Sequence, residues 1–312
     1  MARIAVLDCF TSDIFRGNPA AVVLTAEPLS ADRRISLAIE LNQPATAFVS
    51  HPRLFEPAFT PSSHDAPLLI RWHTSTGGAL PLCGHATMAA SHFLLRHFLP
   101  PSVEQLEFEY PFLHDETATG RLLVRRVQGD RVEVTLPACL QWRDVSDDER
   151  EKVTAVMRAA AGTDSVQEVL AFPTPNPKVQ NVVIRLQDHV DLAALEFKPE
   201  AFLKLPYRGI WVFNTIPPAL QAALPGASAR SRVFFPSVGI MEDHVCGSAH
   251  TALGPYLFSS SATPSTESLE FAQVSKRGGK IGITWDGRLG HEGGTVGLRG
   301  EARLLFQGEL YL

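Results

Sequence analysis

The sequence is poor in several things that would have pointed it towards secretion, membranes or nucleic acid. Four cysteines, at 9, 83, 139 and 246, are scattered over 312 residues with no Cys-x-x-Cys spacing, which excludes a disulfide framework and predicts reduced thiols. Lys and Arg number 28 against 33 Asp and Glu, a formal charge of −5, so no basic surface is offered to nucleic acid. No apolar run approaches the roughly 20 residues that span a bilayer as a helix. Met1-Ala2-Arg3-Ile4-Ala5-Val6-Leu7-Asp8 passes straight into a strand pattern without a charged leader and cleavage site, so the expectation is a cytoplasmic protein with no membrane partner. There is no Gly-x-Ser-x-Gly elbow to make Ser248 a hydrolase nucleophile. No His-x-x-x-His pair gathers His73, His85, His244 and His250 around an ion, so no metal is expected.

What is present is a repeat. Leu82-Cys83-Gly84-His85-Ala86-Thr87 and Val245-Cys246-Gly247-Ser248-Ala249-His250 match at an offset of 163 residues, and the agreement continues at Ala89/Ala252 and Leu94/Leu257. Apolar spacing after each glycine predicts a helix opening there. A glycine at a helix start lets the unpaired amides of the first turn approach an anion, so Gly84 and Gly247 read as two openings that grip one carboxylate. Each cysteine precedes its helix, where the dipole lowers a thiol's pKa from about 8.5, and two opposed thiols can then serve as base and acid. The competing reading makes each cysteine a small buried hydrophobe. Asn18, between Gly17 and Pro19, serves either the turn or a ligand; Asp243 either caps the second helix or bonds a substrate group.

Along the chain, strands are expected at 3–10, 20–24, 45–49, 68–73, 105–110, 120–127, 131–136, 182–186 and 210–212, with two more in 295–311. Helices are expected from Ala31 to Leu41 with Ser30 as its cap, from Thr87 to Leu99, and from the capping box at Ser146 to Ala161. The second Cys-Gly helix is expected to break at Gly254-Pro255 and to be followed by a Ser/Thr-rich loop. His51 to Ala66 reads as a surface connection, and Gln273-Val274-Ser275-Lys276-Arg277-Gly278-Gly279 as a turn between strands. The fold class is α+β: lobes of 1–138 and 139–294, with 295–312 supplying strands that return to the first.

With these residues in hand, the chain resembles the PhzF-like (phenazine biosynthesis-like) family, which shares a fold with diaminopimelate epimerase and proline racemase. The carriers are Phe15-Arg16-Gly17-Asn18-Pro19-Ala20-Ala21-Val22, Arg71-Trp72, Pro81 to Thr87, Glu242 to His250, and Gln273 to Gly279. The resemblance implies two pseudo-symmetric lobes, each a curled, mainly antiparallel sheet around a central helix, with the site between them. It also implies a homodimer, a small carboxylate substrate and no cofactor. Position by position it places substrate and proton handling on His85, Asp243 and Ser248, with Gly84 and Gly247 offering amides. It also exposes a departure: the family's acidic residue in Asn-x-x-Glu-Thr-x-Phe falls on Ala45, and a second acidic position falls on Ala79. The epimerase and racemase relatives instead carry two cysteines at the positions of Cys83 and Cys246. The expectation is therefore a cofactor-independent isomerase using Cys83 and Cys246, with an Asp243/His85 proton shift and a silent carboxylate-binding protein as the rivals.

Overall fold

Strands Ala2–Cys9 (β1) and Asn18–Thr25 (β2) carry runs of small and branched apolar residues, Ile4 to Leu7 and Ala20 to Leu24, and are buried along almost their whole length. Such runs suit strands covered on both faces. The computed structural model describes residues 2–61, 66–113, 115–173, 179–217, 219, 221–259, 268–285 and 294–312. The expected Ser/Thr-rich loop at 260–267 and part of the His51–Ala66 connection lie outside them. The chain divides into two compact units, Met1–Leu136 with Thr295–Leu312, and Pro137–Gly294.

The first unit continues through β3 (Ala45–Ser50), β4 (Leu68–Thr74), β5 (Ala79–Leu80), β6 (Gln105–Phe112), β7 (Asp115–Arg126) and β8 (Val132–Pro137). The second holds β9 (Arg143–Asp144), β10 (Val166–Pro173), β11 (Gln180–Leu186), β12 (Tyr207–Thr215), β13 (Ala229–Phe235), β14 (Ile240–Asp243), β15 (Leu269–Gln273) and β16 (Gly279–Trp285). Strands β17 (Thr295–Gly300) and β18 (Ala302–Glu309) belong to the first unit, and β18 pairs antiparallel with β1. Helices are α1 (Ala31–Leu41), α2 (Gly84–Phe93), α3 (Asp147–Ala161) and α4 (Gly247–Ser259).

Within the first unit the strands run in the order β18, β1, β2, β3, β4, β6, β7, β8, β17. The parallel pairs β2/β3 and β4/β6 are bridged by α1 and α2. Helix α1 is amphipathic and covers one face, packing Ala38 with Val23 and Phe48. Helix α2 packs against β1, β2 and β3 with every residue but His85 buried, as a helix apolar on all sides must be. In the second unit the order is β9, β10, β11, β12, β13, β15, β16, and the parallel pair β13/β15 is bridged by α4. Helix α4 is buried from Ala249 to Leu257. Each Cys-Gly helix is thus the buried crossover of a parallel strand pair in its own unit.

Two helix expectations need correction. The first Cys-Gly helix starts at Gly84 rather than Thr87, and its end, Leu94–Phe98, is a π-turn closed by the Leu99 amide on the Leu94 carbonyl at 2.8 Å. There the guanidinium of Arg126 takes the Leu95 carbonyl, and Pro100 prevents continuation. The second Cys-Gly helix does not break at Gly254-Pro255; it runs to Ser259 with Pro255 inside. A proline leaves the carbonyl four residues earlier without a helical donor, and that carbonyl, of Thr251, instead accepts the Cys139 amide at 3.1 Å. Gly254 is needed for packing, since a Cβ there would lie 2.5 Å from Cγ2 of Ile283. The sequence pattern predicts none of strands β5, β9, β10, β13 and β14. By contrast, Ser30 caps α1 and Ser146/Glu149 form the capping box of α3 as the sequence predicts.

Candidate active site

In the first unit, a tight loop joins β1 to β2. Asp8 accepts the amide of Phe15 at 2.6 Å. Gly17 has φ +63, and any Cβ there would sit 2.0 Å from the Cys9 carbonyl, so only glycine passes the chain through. Asn18 follows at the first position of β2, wholly buried and opposite Cys9 in the antiparallel register.

Cys83 is 6 % exposed and stands at the N-cap of α2 with extended backbone. Its Sγ lies 3.5 Å from Nδ1 of His85. Its carbonyl accepts both the backbone amide and the hydroxyl of Thr87, at 3.0 and 2.7 Å. Cys9 is close enough for its thiol to feel that of Cys83; burial first, then Asp8 and Cys83, push the Cys9 thiol well above its ordinary range. Cys9 is therefore a poor nucleophile and base.

Ala45, where the family resemblance would place an acidic residue, opens β3 and is 1 % exposed. Phe48 faces α1, so alternation turns Ala45 to the other face of the strand, towards α2.

The second unit repeats the local design with different side chains. Cys246 is 3 % exposed and its Sγ lies 3.4 Å from Oγ of Ser248. Its carbonyl meets Nδ1 of His250 at 2.6 Å, while Nε2 of His250 meets Oγ of Ser231 at 3.0 Å. Burial, with the Cys246 carbonyl bond opposing it, lowers His250 to about 4. The ring is therefore neutral near pH 7; Nδ1–H donates to the carbonyl and Nε2 accepts from the hydroxyl.

The thiol of Cys246 corrects an expectation. Burial first, then the Asp243 carboxylate, raises it well above its ordinary range. Bonds from the Ser248 hydroxyl and the Ala249 amide act the other way, as a helix opening should, and are outweighed. Cys246 rests as a protonated thiol beside Asp243.

Asp243 ends β14, whose position is set one residue earlier. Glu242 receives a two-pronged bond from Arg232, 2.6 and 2.8 Å, and the guanidinium lies 4.6 Å over the Phe197 ring. Beyond Asp243, the side chain of Gln273 reaches the turn into α4: Oε1 accepts the Cys246 amide at 2.8 Å and Nε2 donates to the Asp243 carbonyl at 2.6 Å. Of the expected residues, the structure brings Cys83, Gly84 and His85 together in one unit and Asp243, Cys246, Gly247 and Ser248 together in the other. Gln273, Thr87 and His250 were missed as contributors, although Gln273 lies in a quoted motif and the other two share one offset from their cysteines. Among the described residues no three His, Cys, Asp or Glu side chains converge on a point, and no helix is long and apolar enough to cross a membrane.

A model of the PhzC-PhzF family, phenazine biosynthesis-like protein, matches residues 7–308. The chain belongs to that family. Phenazine biosynthesis-like domain-containing protein 2 of Mus musculus is 34% identical over 304 residues, covering 94% of this chain and 96% of the relative. A crystal structure of a PhzF family protein from Enterococcus faecalis superposes with a TM-score of 0.74 at 26% identity, over 100% of this chain and 99% of that one. A probable proline racemase from Agrobacterium radiobacter, solved with bound carbonate, superposes with a TM-score of 0.58 at 10% identity, over 100% and 93%. This PhzF-family chain therefore has the fold shared with the racemases, an α+β architecture of mixed sheets with few helices.

Proposed function

We propose that the chain is a cofactor-independent isomerase that moves a proton at the carbon beside the carboxylate of a small metabolite. The observation that carries this is the matched pair of helix openings. Each places a thiol at the cap, a polar side chain two residues on at 3.5 or 3.4 Å from the sulfur, and a side chain four residues on bonded to the cysteine carbonyl. Packing two ordinary core cysteines would not call for that repetition.

The roles follow from the local chemistry. Cys83 beside His85 is a thiol with a base in reach, so His85 can accept its proton and leave the thiolate as the base. Cys246, held protonated by burial and Asp243, is the acid. The Cys83 thiolate takes the α-hydrogen as a proton, and the C–H electron pair passes into the carboxylate as an enediolate. The Cys246 S–H then delivers its proton to the opposite face and becomes a thiolate. Amides at Gly84, Gly247 and Ser248 hold the carboxylate while its charge grows. Reversal exchanges the roles. Support for the reaction class comes from the family and from the racemase fold; the substrate is a small carboxylate, taken up without a cofactor, nucleic acid or membrane, by a cytoplasmic homodimer.

The test is incubation in deuterium oxide with a panel of chiral amino and hydroxy acids, proline included, read by NMR at the α-carbon. Deuterium incorporation by the wild type, with Cys83→Ser and Cys246→Ser each abolishing exchange from a different enantiomer, is the expected result. Undiminished exchange in both variants would sink the two-thiol reading in favour of the Asp243/His85 shift. A second reading has its own observation in Ala45: tight binding of carboxylates with no exchange in any of them would make the chain a silent binder.

A further inference from the structure

We infer that Gln273 is the positioning residue for the Cys246 thiol and the Asp243 carboxyl, a role that depends for its purpose, though not for its geometry, on the proton-transfer reading above. The turn from β14 into α4 has to present both groups, and β14 pairs with β13. Backbone groups on either side of this turn are met by a side chain. One planar amide supplies a donor to the Asp243 carbonyl at 2.6 Å and an acceptor to the Cys246 amide at 2.8 Å, as a neighbouring strand's backbone would. Two residues further on, Oγ of Ser275 donates to the His244 carbonyl at 2.5 Å.

Gln273 is itself well held. It is 1 % exposed, opposite Ser231 in the parallel β13/β15 register, with the Val274 amide on the Ser231 carbonyl at 2.9 Å. The same Ser231 bears the hydroxyl that meets His250, and His250 fixes the Cys246 carbonyl. The Cys246 amide and carbonyl are thus both taken by buried side chains anchored at one level of β13 and β15, so the backbone that carries its sulfur cannot shift without breaking a bond. This gives the Gln-Val-Ser motif a purpose. Glutamate supplies the same acceptor but donates only when protonated; methionine does neither.

The test follows Cys246 by iodoacetamide labelling and peptide mapping across about pH 5.5 to 9, where the thiolate fraction changes. Gln273→Met should accelerate Cys246 labelling about tenfold at every pH, the equivalent of one net hydrogen bond lost from the turn, while Cys83 is unaffected. Gln273→Glu should label Cys246 at the wild-type rate at the acid end, where the carboxyl donates to Asp243. Its ratio to wild type should climb as the carboxyl ionises. A ratio independent of pH in Gln273→Glu, or equal acceleration at Cys83, would overturn the inference, because a side chain that only fills space or stabilises the unit predicts those results. Should Gln273→Met fail to fold, Gln273→Glu carries the test alone. Failure of the proton-transfer reading would show as no α-exchange in the wild type and would leave the labelling result standing.

Discussion

Thr87 and His250, 163 residues apart, do the same work on their helices: each side chain donates to the carbonyl of the cysteine four residues before it, Thr87 to Cys83 at 2.7 Å and His250 to Cys246 at 2.6 Å. A side-chain bond to the carbonyl at i−4 ties the first turn of each helix to the cysteine that precedes it. Thr87→Val keeps the shape and removes only the hydroxyl bond, so urea unfolding should show a loss of about 1 kcal/mol, and Thr87→Ser should recover most of it. Wild-type stability in Thr87→Val would mean that the hydroxyl contributes nothing to holding Cys83.

The imidazole brings a pH dependence that the hydroxyl does not. His250 is lowered to about 4 in the fold, whereas unfolded it titrates near 6.5. Between those values the unfolded chain binds the extra proton, so this contribution is complete above about pH 6.5 and is lost as pH falls towards 4, by about 3 kcal/mol at most. His73 and His92 are likewise lowered to about 4, chiefly by burial, and share the acid loss. His250→Gln should therefore flatten, without abolishing, the fall in urea midpoint over that range; an unchanged slope would show that His250 does not stay neutral in the fold.

What could be read from the sequence was local. Ser30, and Ser146 with Glu149, announce their helices because a cap bonds its own first turn. The paired Cys-Gly openings could be read because the repeat is short and contiguous. What was misread depends on distant partners. Pro255 stays inside α4 because Cys139, far back in the chain, takes the carbonyl it leaves. The opening of α4 does pull the Cys246 thiol down, but burial and Asp243 outweigh it, and burial is a tertiary quantity. Gln273 could be quoted as part of a motif, yet its role needed its 27-residue reach back to Cys246.

Helix α4 offers a packing test. Gly254→Ala places a Cβ 2.5 Å from Cγ2 of Ile283, a branched side chain with little room to turn. Helix propensity alone predicts a gain of about 1 kcal/mol from this change. Overpacking costs about 1–3 kcal/mol and should win, so thermal unfolding is expected to fall. Gly254→Ala with Ile283→Val should recover part of the loss, as the pair is in contact and its effects couple. A stabilised single variant would mean that β16 yields to the helix at no cost.

The position of the missing acid gives the sharpest separation of mechanisms. Ala45 is 1 % exposed at the start of β3, between Ala20 and Thr74 on the neighbouring strands. Ala45→Glu puts a carboxyl where burial favours its neutral form, which costs about 1–3 kcal/mol of stability if no partner is found. The same raised pKa is what a general acid and base needs near neutrality. Gly84 and His85 adjoin Cys83 in the first unit, and Asp243 and Ser248 adjoin Cys246 in the second. The variant is therefore expected to acquire isomerisation of a hydroxylated cyclohexadiene carboxylate, followed by ultraviolet absorbance, with ligand affinity close to that of the wild type. Combining it with Cys83→Ser decides between the routes: activity that survives the loss of the thiol runs through the new carboxyl, while activity that vanishes with it shows that Cys83 remains the base. A folded Ala45→Glu protein with no isomerisation would remove the carboxyl route and leave the two thiols as the machinery to be tested.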